Sequence, residues 1–203
     1  ASEWLRRRDQ IVAGVYGTAA ALFLCAGLSL RQSVYWKNSI NLFERSLAVT
    51  ENNSLAHNNL GAAYAVDGRV DDAIAQYREA LRIWPGYAKA HHNLGTEYSK
   101  QGLSDEAIKR FRESIRLDDR HADAHYNLGI ELSRRGQWEE AARSFRKTLE
   151  LEPNNAKAHT DLGVTFAQRG DTAEALRLFN RAVELAPANL KARQNIATAL
   201  ASK

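Results

Sequence analysis

The sequence predicts an all-α solenoid of stacked helix-turn-helix units preceded by one transmembrane helix, and three observations carry that prediction. A unit of 34 residues beginning near Ser54 is written four times in succession, so each unit buries its apolar face against its copies. Within each unit, two runs place apolar residues at i, i+3, i+4 and i+7, as amphipathic helices require. Ahead of the units, residues 11–30 (IVAGVYGTAAALFLCAGLSL) carry no charge. At helical rise such a run spans about 30 Å, the thickness of a bilayer hydrocarbon core.

Taken in order, residues 1–10 form a juxtamembrane segment and 11–32 the transmembrane helix. Trp4 and Arg6, Arg7 and Arg8 precede it, and Arg31, Tyr35, Trp36 and Lys37 follow it, the aromatic and cationic anchors of two interfaces. Ala13, Gly17 and Ala20 or Ala21 share one face, which lets another transmembrane helix approach closely; other transmembrane subunits or spans are expected as partners. The competing reading is a buried core or capping helix, because half of the run is Ala, Gly, Ser or Thr. The Arg6–Arg8 triplet favours a cytoplasmic N-terminal side. The chain has no methionine and is expected to be a processed product or a fragment.

Residues 33–53 align with the second helix of the unit when shifted by 34, with Phe43 on Tyr77 and Ser39 on Ala73. They form a half-repeat helix, and the end of the span occupies the place of its first helix. The four units are 54–87, 88–121, 122–155 and 156–189, and 190–203 is a capping helix. Leu60, Leu94, Leu128 and Leu162 each precede a glycine, Gly61, Gly95, Gly129 and Gly163, where two helix axes approach. Gly68, Gly102, Gly136 and Gly170 suit a left-handed turn between the helices. Ala73, Ala107, Ala141 and Ala175, with Tyr77, Phe111, Phe145 and Phe179, mark the second helices. Pro85, Pro153 and Pro187 close three units; Asp119 stands at that place in the second unit and is expected to loosen that boundary.

These offsets resemble the tetratricopeptide repeat (TPR) family over residues 54–203. The family's usual tryptophan is replaced by His57, His91, His125 and His159, read here as packing substitutes. The junction Tyr35, Trp36, Ser39, Leu42, Phe43, Leu47 and Ala56 to Gly61 resembles the C-terminal part of glycosyltransferase-C-like membrane proteins with such repeats. That resemblance implies repeats on the periplasmic or lumenal side. It also implies an alternative function, the substrate-recruiting part of a polytopic membrane glycosyltransferase.

The concave groove of such a solenoid is lined by its first helices. The residue before each repeated leucine is Asn59, Asn93, Asn127, Asp161 or Asn195. A carboxamide both donates and accepts, so a row of them can hold the peptide groups of an extended partner. The row resembles the asparagine ladder of the O-GlcNAc transferase repeat domain, and the alternative is that it fills the inter-repeat junctions. Around it the groove is expected to present His92, Tyr126, Lys89, Lys100, Arg134, Lys157 and Lys191, which would suit an acidic segment. The offsets of a two-carboxylate clamp hold Asn58, Ala62 and Asp123 instead.

No catalytic arrangement emerges, so no enzyme and no cofactor are expected. Histidines 34 residues apart stand too far from one another to share a metal ion. The net charge of +4 comes from 28 cations and 24 anions interleaved along helices, which argues against nucleic acid. The reading is a membrane-anchored scaffold for a protein or peptide partner, with a structural subunit of a membrane complex as a further alternative.

Overall fold

The computed structural model describes residues 39–201. The juxtamembrane segment, the membrane helix and the first residues of the half-repeat lie outside the described residues, so the membrane readings rest on sequence. Among the described residues no helix is long and apolar enough to cross a membrane.

The half-repeat is helical over residues 39–49 (α1). The four units follow as helix pairs, α2 (Ser54–Val66) with α3 (Val70–Ile83), α4 (Ala88–Lys100) with α5 (Ser104–Leu117), α6 (Ala122–Arg134) with α7 (Trp138–Leu151) and α8 (Ala156–Gln168) with α9 (Thr172–Leu185). α10 (Leu190–Ala201) closes the described chain.

The turn within each unit is dictated by one glycine. Gly68, Gly102, Gly136 and Gly170 all have φ between 70° and 85°, a region an L side chain enters only at a steric cost. The residue after each then donates its N–H back across the helix end, for example Arg69 to the Tyr64 carbonyl at 2.9 Å and Gln137 to that of Leu132 at 2.9 Å. This Schellman closure satisfies carbonyls that a helix end otherwise leaves without partners.

The two helices of a unit are held by a glycine against an aromatic ring. A Cβ on Gly61 would lie 2.7 Å from Tyr77, on Gly95 2.8 Å from Phe111, on Gly129 2.7 Å from Phe145 and on Gly163 2.5 Å from Phe179. Those rings are among the least exposed residues of one continuous core that runs the length of the stack.

The backbones of successive first helices approach one another, α2 to α4, α4 to α6, α6 to α8 and α8 to α10, more closely than those of successive second helices do among the described residues; α5 and α7 meet only through long side chains, as in the Arg112–Glu140 pair at 2.9 Å. The stack therefore curves, with first helices on its inner side.

Asp119 does not loosen its boundary. His121 N–H donates to the Asp118 carbonyl at 3.3 Å, as Tyr87 N–H does to that of Trp84 at 3.2 Å after Pro85. The histidines explain the uniformity. His91 Nε2 donates to the Pro85 carbonyl at 2.9 Å, His125 Nε2 to that of Asp119 at 3.0 Å and His159 Nε2 to that of Pro153 at 3.0 Å. Beyond packing, each ring pins the close of the preceding unit, whether proline or aspartate stands there.

Candidate binding surface on the inner wall

The first helices present their side chains to the inner wall, and neighbouring units are joined there before any partner arrives. Asn93 Nδ2 donates to Asn58 Oδ1 at 3.0 Å, and Asn127 Nδ2 donates to His92 Nε2 at 3.0 Å. Asp161 accepts from the Tyr126 hydroxyl at 2.7 Å. In each case the ladder position of one unit reaches the residue before the ladder position of the previous one. The carboxamides of Asn93 and Asn127 thus already spend a donor on the junctions, and junction filling is what the geometry displays for them. Asn59 is exposed and accepts from Asn58 at 3.4 Å. Asn195 differs, because its Nδ2 is buried with no partner.

His92 lies tilted against His121, ring centroids 4.6 Å apart. Burial and the neighbouring His121 hold His92 down at about 4, so it is neutral at pH 7. With Nε2 accepting from Asn127, its proton sits on Nδ1, toward Asn93 Oδ1 at 3.4 Å. Tyr126 is pushed up by burial and by its bond to Asp161 and stays a donor.

The cations are less available than their number suggests. Lys100 pairs with Glu97 at 2.7 Å, Arg134 with Glu131 at 2.5 Å and Lys191 with Asp161 at 2.6 Å. Lys89 and Lys157 are exposed and make no ion pair with a described residue. An inner wall of paired charges attracts an acidic segment weakly, since each carboxylate cancels the field of its partner.

Glu97 and Glu131 were not singled out by the sequence. They are 2% and 1% exposed, at the same register of α4 and α6. Glu131 is fully partnered, taking hydrogen bonds from Ser99 and Ser104 at 2.5 and 2.7 Å beside the Arg134 pair. At the equivalent places around Glu97 stand Ala65 and Val70, and its Oε2 has no partner.

Two adjoining hollows open on the C-terminal half of the wall. One, of about 420 Å3, is bordered by Tyr126, Ile130, Ser133, Phe145, Val164 and Lys191 among others. The other, of about 260 Å3, is bordered by Val164, Ala167, Phe179, Asn195 and Thr198 among others. Val164 borders both, so the two hollows adjoin on the inner wall. Ser133, which borders the first, and Asn195, which borders the second, each have a buried polar atom without a partner among the described residues, Oγ and Nδ2. Among the described residues no group of three or more His, Cys, Asp or Glu could hold a metal.

Paired helices stacked around an open inner wall define a helical-repeat solenoid. The chain belongs to the tetratricopeptide repeat family: two models of that repeat match residues 52–120 and 126–189, together well over half of it. No curated protein sequence matches. Among solved structures, a crystal structure of MamA is similar at 25% identity and a TM-score of 0.70, over 76% of this chain and 91% of that one. MamA from Desulfovibrio magneticus RS-1, residues 41 to the end, is similar at 20% identity and a TM-score of 0.68, over 76% and 88%. YrrB, described as a TPR protein with an unusual peptide-binding site, is similar at 22% identity and a TM-score of 0.69, over 81% and 85%. The likenesses at 20% and 22% concern the fold.

Proposed function

We propose that the chain is a scaffold that holds an extended segment of a partner protein against its inner wall, over α6, α8 and α10, and that residues 11–30 keep it at a membrane. The observation that carries the binding reading is the pair of hollows that meet at Val164 on the inner wall, lined by apolar and polar side chains together. The half-buried Ile130 and Val164 suit aliphatic side chains of the segment. With most nearby cations already paired, the preferred segment is apolar with a free backbone rather than acidic. Membrane attachment is supported by the uncharged run and its aromatic and basic flanks.

The test is selection of peptides from a displayed library on the full chain, followed by titration of the selected peptides against variants. Val164→Arg places a charge between the two hollows and is expected to weaken binding at least tenfold. Arg112→Glu, on the outer side, is expected to leave it unchanged. Equal affinities for wild type and Val164→Arg would remove the inner wall from the account. Attachment is checked separately: deletion of residues 1–33 should move the protein to the soluble fraction, and retention at the membrane would refute the role of 11–30.

A further inference from the structure

The outer wall carries its charge in two bands. Each second helix opens on acidic residues, Asp71 and Asp72 in α3, Asp105 and Glu106 in α5, Glu139 and Glu140 in α7 and Glu174 in α9, where the helix dipole favours them. Cations follow at two registers three residues apart, which face the same way on a helix: Arg78 in α3, Lys109 and Arg112 in α5, Arg143 and Arg146 in α7 and Arg177 in α9. All six are exposed. The 34-residue period sets them side by side, so one basic band crosses the four second helices.

The band keeps a net positive charge. Arg112 pairs with Glu140 at 2.9 Å and Arg177 with Glu174 at 2.6 Å, both from the acidic band. Lys109, Arg143 and Arg146 make no ion pair with a described residue. Arg78 donates to the Tyr98 hydroxyl at 2.9 Å, and Arg146 lies over the Phe166 ring, 5.2 Å from its centroid; a hydroxyl or a ring leaves a guanidinium its charge. Beside α5 the band dips into a hollow of about 400 Å3, bordered by Lys109, Arg112, Arg116 and Arg135 against Asp105 and Glu113. Guanidinium groups around such a hollow suit phosphate oxygens.

These charges are spread over four helices rather than converging on one point, and each exposed contact is weak. Weak, spread attraction is effective against a flat surface of like charge that a tether already holds close. We propose that the basic band lies on the phosphate headgroups of an anionic bilayer, so that the solenoid rests along the membrane by its outer wall and its inner wall stays open to the partner. The inference deepens the attachment reading and rests on it for the tether, residues 11–30.

Energy transfer to headgroup-labelled lipid tests the placement on the full chain with Cys25→Ser, in zwitterionic vesicles and in vesicles with about 30 mol% phosphatidylglycerol. The donor dye sits on Asn180→Cys, exposed on α9 at the register of Arg112 and Arg146, or, as the inner-wall reference, on the exposed Gln168→Cys. Transfer from position 180 is expected to be at least about twofold higher in the anionic vesicles. It should return to the zwitterionic value at about 1 M salt, where screening acts over about 3 Å. Lys109→Glu with Arg143→Glu, which breaks no ion pair among the described residues, is expected to abolish the difference. Lys89→Glu with Lys157→Glu, the same change of net charge on the inner wall, should preserve it. Equal transfer from position 180 in the two lipids would overturn the proposal, as would a larger rise from position 168 or equal losses in the two charge variants. Flotation with zwitterionic vesicles reads residues 11–30 separately, so failure of the attachment reading and failure of the band are told apart.

Discussion

At the scale of single residues, repetition turns the molecule into its own mutant series. Glu97 and Glu131 occupy one register and are equally buried, yet Glu131 takes two hydroxyl hydrogen bonds and Glu97 takes none. Ala65→Ser would place a donor where Ser99 stands in the next unit. Satisfying a buried carboxylate oxygen is worth about 1 kcal/mol, so the urea midpoint is expected to rise; a fall would mean that the extra oxygen does not reach Glu97. The glycine and aromatic partners were legible in the sequence, because a residue without a side chain recurring opposite a ring has few other uses. The buried glutamates were not, because a lone glutamate on a helix ordinarily faces water. Only the neighbouring helix, 32 residues away for Ser99, reveals the contact.

At the scale of elements, the junctions between units depend on neutral histidines. Burial pushes His91 and His125 below their ordinary value, and burial with His121 nearby holds His92 at about 4. His92 faces His121 across the α5–α6 connection, with Asp123 and Lys89 as nearby charges. A histidine depressed in the fold takes up a proton on unfolding, so its contribution is complete above about pH 6.5 and is lost as pH falls through the folded values. The denaturation midpoint is therefore expected to drop between pH 7 and pH 5, before the carboxylates begin to protonate, and His92→Gln should flatten part of that slope. A midpoint independent of pH over this window would contradict the assignment. Helix positions were legible from the 34-residue period and its glycines. The caps were less so: Asn53, Asn155 and Asn189 each accept from the N–H three residues on, at 2.9, 3.0 and 3.0 Å, while Tyr87 and His121 occupy the same place without a side-chain cap. The repeat keeps its helices there without a capping oxygen, which is why no cap pattern stood out.

At the scale of the whole molecule, curvature follows from first helices whose backbones approach one another more closely than those of the second helices do, and the inner wall follows from curvature. Much of this was readable from the period alone. The ladder was legible as a repeated register, but a residue type repeated at one register does not say whether its hydrogen bonds point into the groove or along the stack; Asn93 and Asn127 use theirs along the stack. The hollows that adjoin at Val164 were not legible, because residues of five helices, α6 to α10, border them. The central claim is that partners bind this inner wall. Hydrogen exchange of the full chain with and without a selected peptide tests it most directly. Protection concentrated in α6, α8 and α10, with α5, α7 and α9 unchanged, is the predicted result. Protection confined to the outer helices, or none at saturating peptide, would contradict it.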